Sequence, residues 1–222
     1  MYGAVAFDLD DTLAVTRRDR EALLGSAADS AGVALTFDRG EYLEAHREHS
    51  GSESRRPVFE ALLSDPDEAA ALTRAYRAAI LDAIEPVDAA ASVLETLSGR
   101  YRLGLLTDGP GRTQREKVDR LGWTGAFDAV VVSGGIDAPK PAPGSFRGLA
   151  DALGVPPEAV VYVGDDPGRD VEGAATAGMV PIQVRYDGGP DASPLAADTV
   201  ERSALATLPG VIEGLADRAE DA

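Results

Sequence analysis

The chain has 222 residues, 44% of them hydrophobic, no cysteine and a formal charge of −17, with a sequence pI near 4.4. That length supports one domain with a large insertion or two modest domains, and the missing cysteines exclude disulfides, thiolate zinc sites and cysteine nucleophiles. The acidity argues against nucleic-acid backbones and anionic membranes as partners; with no bilayer-length apolar run and no leader-like start at Met1, a cytoplasmic protein is expected.

Basic charge is carried almost wholly by arginine, because Lys117 and Lys140 are the only lysines. An acidic, lysine-poor surface suits solvation in concentrated salt, where self-repulsion is screened. It suits an ordinary acidic protein equally well, and both readings stay open.

The first element is Ala4-Val5-Ala6-Phe7, short and continuously apolar, which predicts a buried parallel strand. Asp8 and Asp10 follow where the strand leaves its sheet, the edge at which open α/β sheets place ligands. Two carboxylates converging there need a proton or a cation, and an all-oxygen ligand set favours Mg²⁺. Turn and capping duty is the structural alternative for Asp10, Asp11 and Thr12.

From Thr16 to about Glu85 no strand run is evident. Alanine, leucine, arginine and glutamate recur with helical spacing, so this stretch reads as a small helical insertion, punctuated at Gly51-Ser52 and Ser64-Asp65-Pro66-Asp67. Pro86 closes it. A helix from about Asp88 to Leu97 leads to a strand from Tyr101 to Leu106 that ends at Thr107-Asp108-Gly109. The pattern then repeats: a helix around Thr113–Leu121 stopped by Gly122, and a strand Ala129–Val132 ending at Ser133-Gly134-Gly135. A helix near Ser145–Leu153 stopped by Gly154 precedes a strand Val160–Val163 running into Gly164-Asp165-Asp166. A helix from about Arg169 to Ala177 and a strand Val180–Val184 complete it. Asp187–Ser193 reads as a surface loop and Asp217–Ala222 as a frayed acidic tail. The expectation is an α/β protein with a parallel sheet covered by helices on both faces.

Such a sheet collects Asp8, Asp10, Thr107, Asp108, Asp165 and Asp166 along one edge, with Asp170 just inside the following helix. Lys140, held between Pro139 and Pro141, adds a cation. This set suits phosphoryl transfer. Mg²⁺ and Lys140 supply positive charge, while the Thr107 hydroxyl and strand-end N–H groups donate hydrogen bonds. One carboxylate can attack phosphorus and a second can shuttle the proton, jobs that fit Asp8 and Asp10.

The four ordered segments Asp8-Leu9-Asp10-Asp11-Thr12-Leu13, Thr107-Asp108-Gly109, Lys140-Pro141 and Gly164-Asp165-Asp166-Pro167-Gly168-Arg169-Asp170 resemble the motifs of the haloacid dehalogenase (HAD) superfamily in its phosphatase branch. The resemblance covers Met1 to about Val15 and Val87 to about Val184. It implies a Rossmann-like core, residues 1–15 and 87–222, with a helical cap, residues 16–86, inserted after the first motif. It also implies Asp8 as nucleophile and Mg²⁺ ligand, and Asp10 as general acid/base that binds the metal through its backbone carbonyl. Thr107, Lys140 and the Asp108 N–H would hold phosphate. Asp165 would be the second carboxylate ligand, with Asp166 and Asp170 orienting metal-bound waters or Lys140. Many relatives carry asparagine where this chain has Asp108, whose side chain should point away from phosphate.

Dehalogenases of the family lack an acid at the position of Asp10, and the phosphonate-cleaving branch uses a cap lysine that this chain does not have. The resemblance therefore implies a phosphatase of a small phosphorylated metabolite, working as a monomer or small homo-oligomer. A sugar phosphomutase and a receiver-like phospho-acceptor are the alternatives. Arg17, Arg18, His46, His49, Arg55 and Arg56 are the cap residues available to choose the leaving group, and Arg56, near a helix start, is the single residue selected.

Overall fold

The computed structural model describes residues 1–49, 52–133 and 139–220; the expected breaks at Gly51 and at Gly134-Gly135 lie outside them. A parallel sheet runs through β1 (Ala4–Phe7), β4 (Arg102–Thr107), β5 (Ala129–Val132), β6 (Val160–Gly164), β7 (Val180–Arg185) and β8 (Asp198–Glu201), in the order β5-β4-β1-β6-β7-β8. Strand β1 is central and fully buried, and this explains its unbroken apolar sequence. Val5 and Phe7 face the cluster built by helices α5 (Ala90–Ser98) and α9 (Leu208–Glu220). Ala4 and Ala6 face α7 (Pro143–Leu153) and α8 (Gly173–Ala177).

The helical insertion is four helices, α1 (Arg20–Ala31), α2 (Arg39–Glu48), α3 (Arg56–Leu62) and α4 (Pro66–Ala83). They bury a hydrophobic cluster of their own, with Leu23, Tyr42, Phe59, Leu72 and Tyr76 among its members. Acidic N-caps start three of them: Asp19 accepts from the Ala22 N–H, Asp38 and Glu41 form a reciprocal capping box, and Asp65 caps α4 just before Pro66, each satisfying donors that a helix start leaves unpaired. The helix stop and new helix start expected at Ser64-Asp65-Pro66-Asp67 fall where α3 ends at Leu62 and α4 begins at Pro66.

Four expectations need correction. The ends of the insertion are not free of strand: β2 (Ala14–Thr16) pairs antiparallel with β3 (Ile84–Pro86), segments too short to show a period. The sheet gains β8, whose Asp-Thr-Val-Glu sequence buries only Val200 and so lacks a strand signal. Residues Asp217 to Glu220 belong to α9, where Leu215 is buried and Arg218 pairs with Asp198. Finally, the helix expected from Arg169 opens as a wide π-type turn over Pro167–Glu172 before α8.

Candidate active site

Register brings the acidic residues together. Phe7 pairs with Leu105 on one side and Val163 on the other, so the chain leaves three neighbouring strands at Asp8, at Leu106-Thr107 and at Gly164-Asp165. The Asp8 N–H still donates to the Val163 carbonyl at 2.9 Å, which fixes the backbone at the point of exit. Beyond it, Leu13 and Ala14 donate back to the Leu9 carbonyl, and this tight return, with Asp11 in the left-handed region at φ 64°, keeps Asp10 on the same cavity as Asp8.

Lys140 links two carboxylates. Its ammonium donates to Asp8 Oδ1 at 2.6 Å and to Asp170 Oδ1 at 2.7 Å, and all three residues are buried. Burial pushes the Asp8 carboxyl well above its ordinary range; Lys140 opposes that shift, while Asp170 and Asp165 add to it. Burial would lower Lys140, but Asp8, Tyr162 and Asp170 outweigh it and raise the ammonium. The wide turn after β6 makes this contact: Asp166 caps it by accepting from the Gly168 and Arg169 N–H groups at 2.9 Å, and Asp170 is thereby aimed back at Lys140. Gly164 leaves the room, since a Cβ there would sit 2.5 Å from Asp170 Cβ. Gly164→Ala is therefore expected to displace Asp170 and to lower stability by about 1–3 kcal/mol, read as a shift of the denaturant midpoint.

Ligand oxygens of Asp8, Asp165 and Asp170 lie within 4.8 Å of one another. Asp165 accepts from the buried Thr12 hydroxyl at 3.2 Å and from Tyr186 Oη at 3.4 Å. Burial first, then Asp170 and Asp11, push its carboxyl up to about 7, as expected where acids crowd without a cation. Because Lys140 and the Asp166 N–H occupy the two oxygens of Asp170, Asp8 and Asp165 are the carboxylates best placed to receive a divalent ion.

Asp10 is held by groups that sequence reasoning did not select. Lys117 donates to its two oxygens at 2.7 and 2.6 Å, Gln114 to Oδ2 at 3.0 Å and Arg20 to Oδ1 at 3.2 Å. Burial would raise the Asp10 carboxyl, but Lys117 and Arg20 overcome it and hold the group far below the usual range. Lys117 and Gln114 share a face of α6 (Gly111–Arg120), the helix that follows β4, whereas Arg20 comes from α1. Gln114 also donates to Thr107 Oγ1 at 2.6 Å, tying the threonine to Asp10. A signal was available: the chain has two lysines, and both are buried here.

Asp108 accepts from the Ser133 hydroxyl, the Lys140 N–H and Arg169, so its charge is taken up beside the cleft. A cavity of about 600 Å³ opens over these residues, with His46, Arg47 and Arg55 of the helical unit on its wall. Arg56 is not brought into it: the residue is exposed and pairs with Glu60 at 2.7 Å. Its neighbour Arg55, which precedes α3 as the N-cap residue, lines the cavity instead. Arg17 and Arg18 are engaged with Glu85 and with Ser26, and His49 does not line the cavity. No described helix is long and apolar enough to cross a membrane.

Residues 2–178 match the family model of the haloacid dehalogenase-like hydrolases. Over 214 residues the chain is 33% identical to the glyceraldehyde 3-phosphate phosphatase of Methanopyrus kandleri, an alignment spanning 90% of this chain and 91% of that protein. Among solved structures it resembles a 2-haloacid dehalogenase from Pseudomonas syringae pv. tomato, with a TM-score of 0.76 and 28% identity over 97% of this chain and 100% of that one. It also resembles a HAD phosphatase from Thermococcus onnurineus, with a TM-score of 0.70 and 25% identity over 95% and 97% of the two chains.

Proposed function

The chain belongs to the haloacid dehalogenase-like hydrolases, and from that premise we propose that it hydrolyses the phosphate monoester of a small metabolite through an aspartyl-phosphate on Asp8, with Mg²⁺ as cofactor. Its phosphatase relatives make it a phosphoric monoester hydrolase. The observation that carries the finer reading is Asp10, an acid two residues from the buried Asp8, oriented by three donors. A halide leaves without a proton, whereas an alkoxide needs one.

Asp8 attacks phosphorus and the bond to the leaving oxygen breaks as Asp10 delivers a proton to it, a proton that Asp10 must first take up with the substrate, because Lys117 and Arg20 hold the carboxyl ionised in the resting site. Asp10 then takes a proton from the water that attacks the aspartyl-phosphate, which frees inorganic phosphate and restores Asp8. Lys140 and the Thr107 hydroxyl hold the transferring oxygens. The oxygen donors fit Mg²⁺: the Asp8 and Asp165 side chains and the Asp10 carbonyl would hold it, and it would neutralise charge on the phosphoryl group. The helical unit, which places His46 and Arg55 above the cleft, serves as the cap that selects the leaving group.

The test is release of phosphate from p-nitrophenyl phosphate and from a panel of phosphorylated metabolites, with and without Mg²⁺. No release by the wild-type protein across the panel would sink the proposal. Mg²⁺ at 100 times its dissociation constant should stabilise the fold by about 2.7 kcal/mol, seen as a rise in melting temperature that Na⁺ at equal ionic strength does not give and that Asp165→Asn removes. Lys117→Met, which strips Asp10 of its closest donor, should cut kcat on alkyl phosphates by about 10–100-fold and on p-nitrophenyl phosphate, whose leaving group needs little protonation, by about 3-fold or less. Equal losses on both would mean that Lys117 does not act through Asp10.

A further inference from the structure

We propose that the alcohol released by this enzyme carries a carboxylate, which Arg55 receives; the inference rests on the phosphatase reading and names the substrate class. The cavity has two walls of opposite character. Its floor holds Asp8, Asp10, Asp165 and Asp170, which serve the phosphoryl end, while the helical unit contributes His46, Arg47 and Arg55. The volume, about 600 Å³, is in the range of small-molecule sites.

The cations around this cleft differ in what they have to do. Arg20 is spent on Asp10 and Arg169 on Asp108. Arg47 is exposed and donates to the Leu43 carbonyl of its own helix at 3.3 Å. Arg55 is half-buried and fixed: it donates to Tyr42 Oη at 2.9 Å and its guanidinium lies 5.5 Å from the Tyr76 ring centre. Among the described residues no carboxylate pairs with it, in a chain with 38 acidic and 21 basic side chains, and its Nε is buried without a hydrogen-bond partner. A guanidinium offers five N–H donors in a planar fork that matches a carboxylate. A separate void of about 20 Å³ also touches Arg55 and has room for one water, which leaves the remaining donors of the fork for a ligand. A positioned, unpaired arginine on the leaving-group wall is a receptor for a second anion.

His46 supplies the complement. Burial, then Arg55, Arg169 and Arg20, hold its imidazole down at about 4, so it is neutral at pH 7 and has one donor and one acceptor for a hydroxyl group. A phosphorylated hydroxy acid presents both functions at one end and the phosphate at the other.

The test compares substrates that differ in this group alone. 3-Phosphoglycerate and glycerol 3-phosphate share three carbons and a primary phosphate, and differ as carboxylate against hydroxymethyl. With Mg²⁺ present, wild-type kcat/KM is expected to be at least about tenfold higher for 3-phosphoglycerate, the increment of a charge-assisted pair. In Arg55→Met the ratio of the two should fall to about 2 or less, and Arg55→Lys should restore part of it. A wild-type ratio near or below one overturns the inference without any variant, as does a preference that survives in Arg55→Met. Absence of phosphate release by the wild type from p-nitrophenyl phosphate and from the whole panel of phosphorylated metabolites would instead remove the phosphatase reading beneath it, so the two failures are told apart.

Discussion

Asp8→Asn is expected to abolish turnover, lowering kcat by about 10⁴-fold or more on every substrate, activated aryl phosphates included. The magnitude follows from losing the nucleophile itself, whose removal leaves only binding and electrostatic stabilisation. An amide at this position keeps the shape of the buried site, where Asp8 sits 2.6 Å from Lys140, so the variant should fold and the loss should be chemical. Two measurements check it together: phosphate release in the steady state, and acid-quenched labelling of the protein by a radiolabelled substrate, which should mark the wild type and not the variant. Turnover above about 1% of wild type would show that Asp8 is not the attacking group.

Lys140→Met should damage stability and rate at once. Lys140 stands between Asp8 and Asp170, with Nζ at 2.6 and 2.7 Å from their oxygens, and its removal leaves two buried carboxylates facing each other across an apolar side chain. Breaking a buried pair by deleting one partner costs about 3–5 kcal/mol, and the transferring phosphoryl group would lose a fixed cation, a further effect of about 10²–10³ in kcat. Urea unfolding separates the first from the second. The double variant Lys140→Met/Asp170→Asn should recover part of the stability, because one of the stranded charges is gone, while kcat stays low. If the midpoint of Lys140→Met matches the wild type, Lys140 does not neutralise this pair.

Much of this site was legible before any coordinates. Asp8, Asp10, Thr107 and Asp165 each follow closely on a change from apolar strand to polar turn, and such changes survive in the one-dimensional pattern because a parallel strand buried on both faces must be apolar throughout; Lys140 stood out instead as a rare lysine between two prolines. Asp170 was legible as well, although the wide turn that aims it at Lys140 was not: that geometry depends on Asp166 accepting two N–H bonds and on the space left at Gly164. Strands β2, β3 and β8 escaped because they are short, or because they sit at an edge with one buried side chain.

By itself the sequence determined which residue types stand at the strand ends, in what order, and that a helical segment interrupts them. Only the tertiary structure decided which cations serve which acids. Lys117 lies 107 residues from Asp10 and Arg20 lies in another structural unit, so their contact is fixed by packing of α6 and α1 against the loop after β1. The choice of Arg55 over Arg56 is likewise set by packing: Arg55 precedes α3 and is held by Tyr42 and Tyr76, whereas Arg56 opens the helix and pairs with Glu60. Strand ends follow local rules of burial and hydrogen bonding; charge pairing across elements is a long-range property, and no local pattern encodes it.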